Sequence, residues 1–339
     1  MKTILVTGGT GYIGSHTAIE LIEAGYEVIL LDNFYNSSRE VLNRIKTITG
    51  IQPRFYEVDV LDKKKLQEIF NSNKIDAVIH FAGYKAVGES VSIPLTYYQN
   101  NLTGSLNLYE AMQQFNCKCL VFSSSATVYG DPHVVPICED FPLSTTNPYG
   151  ATKLFNERIL EDLCISDPQF SVMLLRYFNP IGAHKSGLLG ETPNGIPNNL
   201  VPYIAQVAVG KRDYLRVWGD DYDTVDGTGV RDYIHVVDLA KGHIQALDYT
   251  MNHLGIEKIN LGTGNGYSVL QVKDAFAKVS GKDIPFKIME RRVGDIASCY
   301  ADTAKAKKLL HWEAKFGIDK MCEDTWRFQC QNPEGIKLP

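Results

Sequence analysis

The feature that most constrains this chain lies at its start. An apolar run, Lys2–Thr7, leads into Gly8-Gly9-Thr10-Gly11-Tyr12-Ile13-Gly14, and an amphipathic stretch, Ile13–Ala24, follows and ends at Gly25. A strand passing into a helix through Gly-x-Gly-x-x-Gly lets the backbone close tightly and approach a pyrophosphate, which then rests on the helix N-terminus. Gly8, Gly11, Tyr12, Ile13 and Gly14 form this candidate cradle. Asp32 closes the next apolar run, 18 residues after Gly14. A carboxylate there would hold a ribose 2'-hydroxyl and repel a 2'-phosphate. The pattern therefore predicts NAD rather than NADP. Arg39 is the nearest residue that could counter this preference, and a solvated helix start is its plainer role. Asp59, closing the third run, could contact adenine or cap a turn.

The same alternation continues through the first half. Strand-like runs fall at Lys2–Thr7, Glu27–Asp32, Arg54–Val58, Ala77–Ala82, Cys119–Ser123 and Ser171–Tyr177, with helical patterns at Ile13–Ala24, Leu61–Asn71, Pro94–Phe115 and Tyr149–Ser166. Strands apolar on both faces, alternating with helices, predict an α/β fold: a doubly wound, Rossmann-type parallel sheet. Ligands in such folds bind beyond the carboxyl ends of the strands. The glycine turn, Asp32, the Phe81–Lys85 turn, Ser125 and Tyr177-Phe178-Asn179 all lie at such ends. After about residue 180 the pattern changes. Residues 181–199 are rich in Gly and Pro, and helices are expected at Leu200–Val209, Val236–Tyr249, Ser268–Val279 and Lys315–Gln329. The reading is a dinucleotide-binding domain over 1–180 and a smaller, mixed α/β substrate lobe over 181–339, with parts of 235–262 packing back on the first.

One spacing carries the chemistry. Ser125 stands 24 residues before Tyr149, which opens the pentad Tyr149-Gly-Ala-Thr-Lys153. A nicotinamide can take a hydride from a carbinol only if a base takes the hydroxyl proton. Tyrosine, with an ordinary pKa of about 10, needs roughly 3 units of help, or about 4 kcal/mol. On a helix Tyr149 and Lys153 share one face. Opposite charges ~5 Å apart at an effective dielectric of ~20 attract by about 3 kcal/mol, most of that amount. The oxidised nicotinamide would add to the field, and Ser125 would donate to the substrate oxygen. The plainer reading is a surface helix with Tyr and Lys four apart by chance. The register with the glycine turn and the upstream serine favours catalysis.

Composition excludes other classes. Of 339 residues 44% are hydrophobic and 22% charged, enough for a large core. A net charge of -5 argues against general affinity for nucleic acid or anionic membrane, so an anionic substrate must meet local arginines. Seven scattered cysteines form no disulfide framework and point to a reducing compartment. The pair Cys117 and Cys119 has no second pair, so no zinc site is expected. No run approaches a membrane span or a signal-peptide core. A cytoplasmic protein without a metal is the expectation.

With these residues in place the chain resembles the extended short-chain dehydrogenase/reductase family, and within it the UDP-hexose 4-epimerases, over essentially its whole length. The resemblance rests on Thr7–His16, Ile79–Glu89 (IHFAGYKAVGE), Phe122–Asp131 (FSSSATVYGD), Asn147–Lys153, Arg176–His184 (RYFNPIGAH), Gly195–Gly210 (GIPNNLVPYIAQVAVG), Asp226–Leu239 (DGTGVRDYIHVVDL) and Arg291–Asp295. It implies that Tyr149 abstracts the sugar 4-hydroxyl proton, that Lys153 binds the nicotinamide ribose and that Ser125 holds the sugar oxygen. It implies further that Asn33, Asp59, Val60, Phe81, Ala82, Lys85, Asn100 and Phe178 join Tyr12, Ile13 and Asp32 around NAD. For a UDP-sugar it implies Asn179, Asn199 and Leu200 along the ligand, Arg231 and Arg292 on the diphosphate and Asp295 on the uridine ribose. A planar guanidinium fork suits phosphate. From the residues alone, Arg231 could equally pair with Asp232 or Asp238, and Arg292 could be surface charge. The helices Pro94–Phe115 and Tyr149–Ser166 resemble those that pair two subunits in this family, which implies a homodimer.

Cys299 falls where members of the family vary between a bulky aromatic and a small residue. A small residue leaves room beside the sugar 2-substituent, so N-acetylated UDP-sugars (UDP-GlcNAc and UDP-GalNAc) are an expected second substrate pair; the plain alternative is a packed small side chain. Two other functions were weighed on the residues. A nucleotide-sugar 4,6-dehydratase needs an acid pair after the serine, and Ala126-Thr127-Val128 supplies no carboxylate. A non-catalytic dinucleotide sensor could dispense with Ser125, Tyr149 and Lys153, yet all three are present. His80, His184 and His235 have no ligand-spaced partners, so packing roles are expected.

Overall fold

A strand buried along its whole length must be covered on both faces, and the first strand meets this condition strictly. In β1 (Thr3–Thr7) all five positions are buried, Ile4 and Val6 feeding one core and Leu5 the other. The computed structural model describes residues 1–292 and 294–336; Val293, inside the Arg291–Asp295 stretch, and residues 337–339 lie outside the described part. After β1 come β2 (Glu27–Asp32), β3 (Arg54–Glu57), β4 (Ala77–His80), β5 (Cys119–Ser123) and β6 (Ser171–Tyr177), then β7 (Asn179–Ile181), β8 (Leu215–Trp218), β9 (Val230–His235) and β10 (Gly255–Leu261). Three short strands, β11 (Gly266–Ser268), β12 (Phe286–Met289) and β13 (Ser298–Cys299), complete the set among the described residues. The main sheet has seven strands in the order β10-β6-β5-β4-β1-β2-β3, every neighbouring pair parallel. This is the doubly wound arrangement, with the carboxyl ends of its strands on one edge.

Helices cover both faces. One layer comprises α1 (Tyr12–Glu23) and α2 (Glu40–Thr49), with residues 236–250 joining it. The other begins with α3 (Lys63–Ser72), is followed by the short α4 (Val87–Ser92) and α5 (Pro94–Tyr98), and includes α6 (Gly104–Gln114) and α7 (Pro148–Ser166). In the second half α8 (Leu200–Ala208), α9 (Val236–Thr250), α10 (Val269–Ser280), α11 (Ala304–Leu310) and α12 (Ile318–Gln331) follow. Residues 236–250 and 255–261 thus lie in the first sheet and its helical layer. Ala306 and Leu310 of α11 and Phe328 of α12 also join the first core, while a second core lies where Val201, Ile204 and Ala205 of α8 meet Val272 and Phe276 of α10 and Met321 of α12. Beside it β9 pairs with β7 and β13 in parallel and with β11 antiparallel, while β8 pairs with β12.

Two departures from the sequence expectations have physical reasons. The stretch Pro94–Phe115, expected as one α-helix, widens to a π-turn at Gln99–Thr103. The extra residue per turn lets consecutive Asn100 and Asn101 both point inward, and both are buried. α2, for which the sequence marks only a helix start at Arg39, its N-cap, is absent from the expected helical patterns. Its three buried apolar residues, Val41, Leu42 and Ile45, are too few to stand out among polar neighbours.

Three buried histidines make the fold acid-sensitive. His16, His80 and His243 are buried, and burial pulls their pKa values down to about 3, 3 and 4. An unfolded chain takes up these protons near pH 6.5, whereas the folded one resists. Stability is therefore complete above about pH 6.5 and is lost as pH falls, by up to about 4 kcal/mol per unit for three protons at roughly 1.4 each. Urea midpoints measured from pH 7 to pH 5 should fall steeply below pH 6.5; a flat profile would contradict this account.

Candidate active site

The glycine turn is built by exclusion. A Cβ on Gly14 would stand 2.2 Å from the Gly8 carbonyl oxygen, and one on Gly8, where φ is +67°, would meet the Ala82 amide nitrogen at 2.9 Å. Only bare backbone lets α1 start directly on the turn and the turn lie against the end of β4. At Gly11, the N-cap of α1, only the Gly8 oxygen comes near, at 3.2 Å. α1 has no side-chain cap and no acidic residue in its first turn. Its positive end is thus open to an anion, which fits a pyrophosphate. Asp32 holds the turn from beneath: Oδ2 accepts from the Thr10 amide at 3.1 Å, and Oδ1 accepts from the Phe34 amide at 2.9 Å and Ser37 Oγ at 3.0 Å. Asn33 donates to Asp59 at 2.8 Å, and Asp59 also caps the turn at Leu61. Val60 packs where a Gly104 side chain would otherwise stand, Phe81 lies against His243, and Asn100 donates to Asn101 at 2.9 Å.

At the end of β5 three consecutive serines meet three successive turns of α7. Ser125 Oγ accepts from the Thr127 amide at 3.2 Å and the Thr127 hydroxyl at 2.9 Å and stands near enough to Tyr149 to act against the rise in its pKa. The Ser123 carbonyl accepts from Lys153 Nζ at 2.6 Å, and Ser124 Oγ donates to Glu157 Oε1 at 2.5 Å. Lys153 Nζ lies 5.9 Å from the centre of the Tyr149 ring. The helix can come this close because it starts cleanly, with Asn147 accepting from the Gly150 amide at 2.8 Å and Pro148 at its first turn. Gly150 then passes the Thr127 carbonyl with only 3.1 Å for a Cβ.

The electrostatics correct one expectation. Lys153 was expected to supply most of the help that Tyr149 needs, yet burial raises the Tyr149 pKa, with Ser125 opposing it. The ammonium is directed to the Ser123 carbonyl, and burial lowers the Lys153 pKa to about 8, with Glu157 opposing the fall. In the chain alone, phenol and ammonium are thus poised without a formed phenolate.

Across the crevice β9 is the hub. Arg231 on β9 donates to the carbonyls of Val230 at 2.8 Å and Ala297 at 3.4 Å. Neither suggested carboxylate pairs with it: Asp232 accepts from the backbone at Thr263, Gly264 and Ala301, and Asp238 from that at Lys315 and Phe316. Asn179 on β7 donates to the Asp232 carbonyl at 3.0 Å. Cys299 on β13 pairs with Arg231 in register and is buried with Ala126, Phe178 and Ala301. Arg292 and Asp295 form a two-bond ion pair at 2.9 and 3.3 Å. Leu200 opens α8 and Asn199 precedes it, donating to Glu191 Oε1 at 2.7 Å. Lys85 reaches the same oxygen at 3.0 Å.

Some neighbours of the site carried no signal in the sequence. Glu191 joins Lys85 to Asn199. Asn101 accepts from the Tyr84 amide at 2.8 Å and donates to Thr152 at 3.0 Å, joining the Phe81–Lys85 turn to α7. Glu157 continues the spacing of Tyr149 and Lys153 by four more residues, a signal that could have been read. His80, His184 and His235 bond Thr7, Ser186 and Asp324, and no metal-binding group of His, Cys, Asp and Glu occurs among the described residues.

Known proteins of this shape share the sequence. A family model described as GDP-mannose 4,6 dehydratase matches residues 5–325. A UDP-glucose 4-epimerase of Bacillus subtilis (strain 168) is 62% identical over 334 residues, 98% of either chain. The chain belongs to the UDP-glucose 4-epimerase family. A crystal structure of such an epimerase from Bifidobacterium longum, in complex with NAD+ and UDP, is 55% identical with a TM-score of 0.96, covering 99% of this chain and 100% of that one. A UDP-Glc/GlcNAc 4-epimerase from Campylobacter jejuni is 37% identical with a TM-score of 0.85, covering 98% and 100%. The epimerase family and the dehydratase model meet in the extended short-chain dehydrogenases. Here Ala126 and Val128 are buried apolar residues and Thr127 donates to Ser125, so the place where a dehydratase needs its acid pair is taken.

Proposed function

We propose that the protein is an NAD-dependent 4-epimerase interconverting UDP-galactose and UDP-glucose through a transient 4-keto sugar. The observation that carries this reading is the convergence of Ser125, Tyr149 and Lys153 beside an open glycine cradle. When bound, the nicotinamide supplies a hydride acceptor and donor for the sugar C4. Gly8, Gly11 and the start of α1 would hold its pyrophosphate, Asp32 a ribose and Lys153 the other ribose. Tyr149 takes the 4-hydroxyl proton while Ser125 orients that oxygen, and the ammonium of Lys153 stabilises the phenolate. The keto sugar then presents its other face, and Tyr149 returns the proton. Hydride and proton both come back, so the cycle needs no net oxidant.

Arg231 and Arg292 would grip the diphosphate, with Asn179, Asn199 and Leu200 along the ligand and Asp295 on the uridine ribose. The Arg292–Asp295 pair is half-exposed and of a kind worth only about 0–1 kcal/mol, so it opens readily for a ligand. Cys299 supports a second substrate pair, UDP-GlcNAc and UDP-GalNAc, because a small side chain fills that place beside Phe178. A homodimer is supported by apolar side chains on α5, α6 and α7: Leu95 is 81% exposed, Phe155 48% and Leu106 42%, more than a lone chain in water favours. Seven free cysteines support a reducing compartment such as the cytoplasm. No helix among the described residues is long and apolar enough to cross a membrane.

Proton NMR of UDP-galactose with the purified protein and no added cofactor should show conversion to a mixture containing UDP-glucose. No conversion, even with NAD supplied, would refute the assignment. Tyr149→Phe should lose about 10²–10⁴-fold in kcat while still binding NAD and UDP-sugar, as calorimetry can establish; near-normal turnover would remove Tyr149 as the base. Cys299→Tyr should cut the rate on the acetylated pair at least tenfold relative to the plain pair, and an unchanged ratio would remove Cys299 as a selector. Leu95→Arg should shift the protein from dimer to monomer in sedimentation. A wild type that sediments as a monomer would end the dimer reading.

A further inference from the structure

Beneath the catalytic pair lies a carboxylate that the reaction as written does not use. Glu157 is buried one helical turn beyond Lys153, on the face of α7 that also carries Tyr149. Arg176, fully buried on β6, grips it with Nε to Oε1 at 2.9 Å and Nη2 to Oε2 at 2.6 Å, and Ser124 adds its hydroxyl. The guanidinium is itself tied to Tyr129 Oη at 3.1 Å and to the Glu139 carbonyl at 2.9 Å. A carboxylate so clamped cannot swing away, and it stands one turn of α7 from Lys153, close enough to oppose the effect of burial on that ammonium without a direct ion pair. We propose that Glu157 is a positioning residue for the reaction: pinned by Arg176 and Ser124 one helical turn from Lys153, its carboxylate keeps the Lys153 ammonium charged beneath Tyr149 while the Ser123 carbonyl holds it in place.

The clamp has the geometry this role needs. Lys153 is buried, makes its hydrogen bond to the Ser123 carbonyl and lies 5.0 Å from the Phe122 ring, and none of these is a countercharge. Burial favours the neutral amine, and Glu157 acts against it. The other titratable groups packed here do not replace it. His80 is kept neutral by burial, with the ammonium adding to the effect. Tyr149, Tyr177 and Tyr129 have pKa values raised by burial. The Glu139 carboxylate accepts from the Asn260 amide at 2.8 Å. Tyr177 and Ser123 share a hydrogen bond of 2.5 Å, which fixes the carbonyl end of the arrangement.

This inference rests on Lys153 serving Tyr149, and its test keeps the two apart. In holoenzyme carrying carbon-labelled lysine, the Lys153 resonance, assigned with Lys153→Met, is titrated by NMR. Glu157→Gln should lower its midpoint by about 1–2 pH units, the effect of removing a charge roughly 6 Å away at an effective dielectric of ~20. Glu157→Asp should recover at least half of that. Turnover is present below the Lys153 midpoint and is lost as pH rises through it, so the alkaline limb of kcat should move down in step, with KM for UDP-galactose within about twofold. If Glu157→Gln alone does not fold, Glu157→Gln combined with Arg176→Met should shift the midpoint the same way, by less because a repelling cation goes too. A folded variant with an unmoved midpoint and limb, whatever its Tm, overturns the proposal and leaves Glu157 a structural residue. Full turnover in Lys153→Met would instead overturn the role of Lys153 in the proposed reaction, while the titration still decides whether Glu157 sets the charge on that lysine.

Discussion

The arrangement on which the site depends is the grip of β5 on α7. Three residues of strand end, Ser123, Ser124 and Ser125, meet Lys153, Glu157 and Tyr149, which lie on three successive helical turns. Strand and helix thus share a stack of polar contacts inside an otherwise apolar layer. Each contact is cheap only because the others exist: an unmatched hydroxyl or ammonium at this depth would cost several kcal/mol. Gly150 sets how near the helix can approach, and Asn147 with Pro148 sets where it begins. The active-site geometry is therefore a packing solution before it is a catalytic one.

The charges in that stack explain why burial does not empty it. Arg176, Glu157 and Lys153 are all at most 7% exposed. Removing one member of a buried pair typically costs about 3–5 kcal/mol, roughly a fifth or more of an ordinary domain's stability. Such a set is retained only with its hydrogen bonds complete, and the Arg176–Glu157 fork is. The ammonium is the least matched of the three, since its close partner is a carbonyl. It is also the group whose charge the proposed chemistry uses.

What could be read from the sequence follows the range of each interaction. The glycine turn and the Ser125, Tyr149 and Lys153 pattern are local spacings visible in the sequence, and the structure brings Tyr149 and Lys153 onto one face of α7 beside the end of β5; the six strand-like runs of the first half all fall within the parallel sheet. β10, by contrast, is separated from its neighbour β6 by some 80 residues of chain, and only its general return toward the first sheet was legible. The strands around β9 are two to six residues long and pair in both directions, too short for a periodicity to show. Asn101 and Glu191 are ambiguous residue types whose meaning comes wholly from distant partners. The raised Tyr149 pKa was not legible for a related reason: spacing gives the distance to Lys153 but not the cost of burying a phenol in the chain alone.

Two kinds of ion pair divide the crevice between them. At the chemical end Arg176–Glu157 is fully enclosed, and opening it would leave two bare charges in a low dielectric. At the proposed diphosphate end Arg292–Asp295 lies open to solvent, with about half of the Arg292 side chain exposed. Pairs of this second kind contribute little and exchange partners readily. An incoming anion can replace the carboxylate on Arg292 at small electrostatic cost, because one negative charge takes the place of another. A neutral sugar could not make that exchange. The site is thus mobile in charge where the proposed nucleotide would enter and leave, and fixed where a proton would be moved over a short distance.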